Sequence, residues 1–283
     1  METGNHTTPY QIYSHALVNQ INLEHCVLSI RLLSDGLSLL IHHDKDKKVL
    51  FALQLNTFGE KNIIESLHSV WKSQDILHHA FKATQVYIQT PYSVWVPSSF
   101  FNPKKLEDVV GLQMHFESEF QKLSYDFHFK WNAYQVFAVN KDVVEFFGKN
   151  VQSSIVYQND LIHVLNRSKK VKSIQNKVFL ATDKHIVDLW MIGSSRLIFH
   201  KTMLQSESDE ELAFRIMSAL EVAEFDFVDD LFYCINQLPE RLYSILFKYI
   251  KSIQDFADDQ SSDINLKDLK KIGDYESFRR LIN

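Results

Sequence analysis

Thirteen histidines, two cysteines and a few acidic residues inside apolar runs are the groups in this chain equipped for chemistry. Their spacing supports little of it. His42-His43 and His78-His79 are adjacent pairs, and neighbouring side chains on a strand point to opposite faces. No cysteine or carboxylate stands beside them at zinc-ligand spacing, so surface histidines and no metal site are expected. Cys26 and Cys234 fall in apolar strand-like runs, and the expected state is reduced and buried. Asp126 and Asp188 are isolated acidic residues in predicted strands, explained by solvent-facing positions. Two-metal hydrolysis needs clustered carboxylates, so no catalytic residue is assigned. Asp226, Asp229 and Asp230 read as a solvated acidic loop. The sequence contains no Gly-x-Ser-x-Gly elbow, Walker loop or dinucleotide glycine fingerprint.

One segment stands out for recognition. Tyr92-Ser93-Val94-Trp95-Val96-Pro97-Ser98-Ser99-Phe100-Phe101 is too sparsely polar for a plain solvated loop. Tyr92, Trp95, Phe100 and Phe101 either pack at a domain edge or form a docking patch for an unidentified protein partner, since exposed aromatics favour interfaces.

Composition narrows the field further. A formal charge of −5 argues against non-specific nucleic-acid binding, which needs a basic surface to neutralise phosphates. Hydrophobic content of 45% with 21 Phe supplies a large core, while seven Gly and five Pro leave little for glycine-rich phosphate loops or long linkers. The first residues are polar without a basic and apolar leader, and no apolar run approaches the roughly 20 residues of a membrane helix. The expectation is a cytoplasmic protein without membrane insertion.

The elements that would position these residues occur twice. Residues 27–91 and 178–239 each read as strand, turn, strand, loop, strand, amphipathic helix and apolar strand. Ser34-Asp35-Gly36 makes the first hairpin turn, Gly36 supplying a residue that accepts positive φ. Asp183-Lys184-His185 makes the matching turn of the second copy. Ile63, Ile64, Leu67, Val70 and Trp71 share one helical face, and Ser208 with Glu211 forms a capping box ahead of the second helix. The third strand and the helix are equally separated in both copies, Val49 to Asn62 and Leu197 to Glu210. Between the copies, a helix over 103–122, strands over 125–131 and 134–139, a helix over 142–150, a strand over 153–157 and a helix over 160–170 suggest parallel pairing with crossovers. After the second copy, 239–256 reads as one helix. The domain expectation is an N-terminal arm over 1–22, a first domain over 23–170 and a second over 171–283.

Three antiparallel strands followed by a helix and a parallel strand resemble the ribonuclease H-like motif. Two in tandem resemble the actin-like ATPase fold, an α/β architecture of two lobes. The stretch from Tyr134 to Val144 is similar to the strand-to-helix step that closes the first domain of PilM-type proteins. Leu28-Ser29-Ile30-Arg31-Leu32-Leu33-Ser34-Asp35-Gly36, Trp95-Val96-Pro97-Ser98-Ser99-Phe100-Phe101 and Phe137-Ala138-Val139 resemble the bacterial DUF3822 family, from about Leu23 onward.

That resemblance implies a ligand site at the two hairpin turns, where nucleotide-binding relatives cradle phosphates and hold Mg²⁺. Asp35, Gly36 and Asp183 would be its residues. The sequence departs from that pattern: Leu37 follows Gly36, no glycine follows Asp183, and Asn236-Gln237 stands where a glycine pair would admit adenosine. The reading is therefore a non-catalytic actin-like scaffold or protein-binding module without a cofactor. The alternative is a residual ATP binder with its ligand in the interdomain cleft.

Overall fold

Apolar runs, buried along almost their whole length, build the central strands of the two large sheets, and helical stripes cover one face of each. The computed structural model describes residues 10–14, 21–33, 36–56, 62–114, 116–163, 173–182, 185–194, 196–235, 238–256 and 281. The chain opens with β1 (Tyr10–Ser14), β2 (Cys26–Leu33), β3 (Gly36–His43), β4 (Val49–Asn56), α1 (Ile63–Ser73) and β5 (Ala83–Ile88). Then come β6 (Ser93–Pro97), α2 (Leu106–Val110), β7 (Gln121–His128), β8 (Ala133–Asn140), α3 (Lys141–Asn150) and β9 (Ile155–Asn159). The second copy consists of β10 (Lys177–Thr182), β11 (Ile186–Ile192), β12 (Leu197–Leu204), α4 (Asp209–Val222), β13 (Leu231–Cys234), α5 (Glu240–Leu246) and β14 (Ile253–Asp255).

Strand order carries the duplication. The first sheet runs β1-β4-β3-β2-β5-β9 and the second β12-β11-β10-β13-β14. In each, β1 aside, three strands pair antiparallel and the last two join in parallel. Without β1 the two orders are the same. The repeat also extends beyond its expected limit, because α3–β9 matches α5–β14. The first copy differs by an insertion between β5 and α3, which folds into its own antiparallel sheet, β6-β8-β7.

Each sheet buries one face under its helices. Leu28, Ile30, Leu32, Leu39, Leu53 and Val86 pack against Leu67, Val70 and Trp71 of α1 and Val143, Phe146 and Phe147 of α3. Val178, Leu180, Leu189 and Phe232 meet Leu212, Ile216 and Leu220 of α4 and Leu242 and Leu246 of α5. Each such side chain contributes roughly 1.5–3 kcal/mol by leaving water. Ser208 caps its helix as the sequence suggests, accepting from Glu211 N, and the structure adds two caps of the same kind: Asn62 accepts from Ile64 N and Asn140 from Asp142 N.

Several expectations need correction. Residues 103–122 are not one helix. A helical turn at 103–105 and the short α2 end at Gly111, and Leu112 is almost fully exposed, so no continuous apolar stripe holds the segment against a sheet. β7 and β8 pair antiparallel rather than parallel, joined by a tight turn in which Asn132 takes the left-handed conformation. Residues 239–256 break after Leu246, because Ile253 is needed as the edge partner of Phe232. Tyr10–Ser14 of the expected arm pairs with β4 at the sheet edge. The run 164–170, the turns holding Asp35 and Asp183, and Asn236-Gln237 lie outside the described residues.

Candidate functional site

The faces turned away from the helices carry the features of interest. In the first sheet one register row crosses all six strands: Gln11, Gln54, Ser38, Arg31, Tyr87 and Gln158. Every position is polar. Arg31 is 2% exposed and its guanidinium grips Asp160 in two parallel bonds, Nε to Oδ1 at 2.6 Å and Nη2 to Oδ2 at 2.8 Å. The Tyr87 ring lies 4.1 Å from that of His163, tilted by 56°, and its hydroxyl donates to Gln85 Oε1 at 2.8 Å. Its hydroxyl is pushed well above the ordinary phenol range, chiefly by burial and then by the negative charges of Asp160 and Asp126. Ser38 Oγ and Gln54 Oε1 are buried without a hydrogen-bond partner among the described residues.

The same row in the second copy is aromatic at all but its last position. Two pairs of backbone bonds fix the correspondence. Gln89 N donates to Leu32 O as Ile235 N does to Leu180 O, and Asp160 N donates to Ile88 O as Phe256 N does to Cys234 O. Arg31 therefore corresponds to Phe179, and Asp160 to Phe256. The row reads His200, Trp190, Phe179, Tyr233 and Gln254. Phe179 stacks on Trp190 at 5.8 Å and on Tyr233 at 5.3 Å, and meets Phe256 edge-on at 5.5 Å.

The inserted sheet reaches across to this aromatic face. Trp95 and Trp131 pack on the cluster of Phe179, Trp190 and Leu161. Trp95 lies 4.6 Å from the His128 ring, 5.5 Å from Trp131 and 6.4 Å from His200. Beside it, Thr202 donates to Asp188 at 2.6 Å, with His200 Nε2 3.3 Å from the same hydroxyl. The threonine proton points at the carboxylate rather than the imidazole, so this is not the polarity of an activated nucleophile.

The aromatic segment thus splits three ways. Trp95 joins the inserted sheet to the second copy. Phe101 stacks on Tyr134 at 3.5 Å within the inserted sheet's own core. Tyr92 and Phe100 face solvent, Phe100 at 73% exposure. Gly36 is buried, and a Cβ there would sit 2.1 Å from Leu55 O. The glycine is needed because β4 approaches so closely, and it does not occupy the left-handed region that the turn reading assumed.

Other chemistry-bearing residues also lie differently from expectation. Asp126 accepts from Gln158 Nε2 at 3.0 Å and Asp188 from Thr202, so both are half-buried and bonded rather than solvent-facing. His42 is buried. Asp230 is buried too, accepting from Asn176 N and Nδ2 and from Asp226 N, and it pins the acidic loop to the start of β10. Both cysteines are free and buried. Sequence reasoning missed Arg31 and its partner; the available signal was a single cation in an otherwise apolar strand.

The fold and strand order can now be set beside known proteins. A family model described as a protein of unknown function, DUF3822, matches residues 15–253. The chain belongs to the DUF3822 family. No curated protein matches it. Among solved structures, this DUF3822 chain is similar to a Bacteroides thetaiotaomicron protein with an actin-like ATPase fold and unknown function. That match has a TM-score of 0.76 and 17% identity, covering 88% of this chain and 96% of the other. A structure of the PilM-PilN type IV pilus biogenesis complex also matches, with a TM-score of 0.49, 11% identity, and coverage of 90% and 94%. The DUF3822 chain has the actin-like, two-lobed ribonuclease H-like architecture expected from its duplicated sequence. Among the described residues, no helix is long and apolar enough to cross a membrane.

Proposed function

We propose that this DUF3822 protein is a non-catalytic actin-like module that holds a protein partner on its inserted sheet. One observation carries the reading: a band of solvent-facing aromatic residues along and beside β7. Tyr125, Phe127 and Phe129 are exposed there, Phe129 at 88%, with Phe120 before the strand and Phe100 and Tyr92 at either end of β6. Large aromatics left in water are costly unless a partner covers them, and Tyr and Phe are enriched at interface cores. The inner faces favour the same reading. Arg31 is neutralised by Asp160, and the matching place in the second copy is filled by rings.

The test is site-specific photo-crosslinking in cells from position 129, with position 222 on α4 as a surface control. A discrete adduct from the first position alone supports the reading. No adduct, or equal adducts from both, sinks it. The alternative rests on the two hairpin turns, with Asp35, Gly36 and Asp183 holding a nucleotide. A rise in melting temperature with Mg-ATP that disappears in Asp35→Ala would favour that alternative and displace the scaffold reading.

A further inference from the structure

A cavity of about 420 Å³ opens where the α2 segment meets the end of the inserted sheet. Four lysines line it: Lys104, Lys105, Lys122 and Lys141. Glu107 and Asp108 are the acidic residues of its lining, giving four positive charges against two negative in a chain whose formal net charge is −5.

The backbone holds these lysines together. Lys141 N donates to Phe120 O at 2.9 Å, tying the start of α3 to the start of β7, which carries Lys122. Asn102 accepts from Lys104 N through its side chain and from Lys105 N through its carbonyl, both at 3.0 Å, fixing the turn that presents the other two. None of the four ammonium groups forms an ion pair with a described residue. Like charges gathered around one cavity repel, and an anion between them relieves that repulsion. Lysine serves as a point-charge phosphate binder. The cavity lies within the range of roughly 300–1,000 Å³ typical of small-ligand sites, well beyond a bare phosphate. Leu106 and Phe116 give it an apolar wall.

We propose that this cavity is a binding site for a small organic phosphate. The lysines hold the phosphate and the Leu106–Phe116 wall takes the apolar or planar part. The assignment is independent of the partner surface.

Calorimetric titration of the full chain with phenyl phosphate and with inorganic phosphate tests it at low ionic strength, where charge pairing is least screened. The expected result is saturable one-to-one binding of phenyl phosphate, several-fold tighter than that of inorganic phosphate. Lys122→Glu with Lys141→Glu should weaken it by about tenfold or more, the equivalent of 1.4 kcal/mol. Lys248→Glu with Lys251→Glu, the same change of net charge on the second copy, should leave it intact. Should the first reversal unfold the chain, Lys122→Gln with Lys141→Gln is the milder pair, and it should also lose affinity. No saturable heat at millimolar phenyl phosphate, equal affinity for both phosphates, or equal loss in the remote variant would overturn the assignment.

Discussion

Arg31 and Phe179 stand at the same register position of the two copies, one before the carbonyl that receives the fourth strand's continuation. One is a cation held by Asp160; the other is an aromatic ring held by Trp190, Tyr233 and Phe256. The copies have kept their backbone and diverged in the chemistry of their inner faces.

Removing half of the ion pair leaves a buried charge without its bidentate counter-ion. Asp160→Asn should cost about 3–5 kcal/mol in denaturant unfolding, while Arg31→Met with Asp160→Leu should recover most of that loss. A double variant no more stable than the single one would show that the pair's role is not electrostatic compensation.

Trp95 acts as a structural wedge. Trp95→Ala should destabilise the chain toward the lower end of about 3–5 kcal/mol, since the ring is only half-buried. Phe100→Ala, at an exposed position, should stay within about 0.5 kcal/mol. Thermal or urea unfolding of both variants checks the contrast, and equal costs would contradict the division of the aromatic segment.

His42 links stability to acid. Its imidazole is held below the ordinary value of 6.5, chiefly by burial; its hydrogen bond to the His43 carbonyl works in the opposite direction. The unfolded chain therefore takes up a proton that the folded chain resists. The contribution is complete above pH 6.5 and falls away as pH drops below it. Unfolding free energy measured between pH 7 and pH 5 should decline, and the decline should be shallower in His42→Phe.

Burial pushes the Cys26 thiol up to about 11 and the Cys234 thiol up to about 12, with Asp46 and Asp255 adding to the respective shifts. At pH 8 both should resist a thiolate-directed reagent until the chain unfolds, because the thiolate is the reactive form. Above pH 9, where free thiols ionise, the same shifts make folding progressively less favourable. Fast labelling of Cys234 in the native protein would mean that its surroundings are far more open than the structure shows.

Much of this fold was legible because its signals are local. The Ser208 cap, the α1 stripe and the apolar runs of β2 and β10 each reside within a dozen residues. Misread segments depended on distant partners. Ile253 becomes a strand because Phe232 offers an edge, and 121–128 becomes a hairpin arm because β8 returns beside it. Periodicity reports neither. The site was less legible for the same reason: Arg31 and Asp160 are far apart in sequence and meet through the parallel alignment of β2, β5 and β9. Trp95 signalled an apolar environment, but not that its environment belongs to the other copy.

The unequal inner faces make the halves non-interchangeable. A chain fused from two first copies would set guanidinium–carboxylate pairs on both sides and leave the indole of Trp95 no ring shelf to rest on. A chain fused from two second copies would have that shelf and no inserted sheet to use it. Whatever symmetric ancestor the strand order records, the present molecule folds as one lock with one key, and ancestral reconstruction must change both halves together.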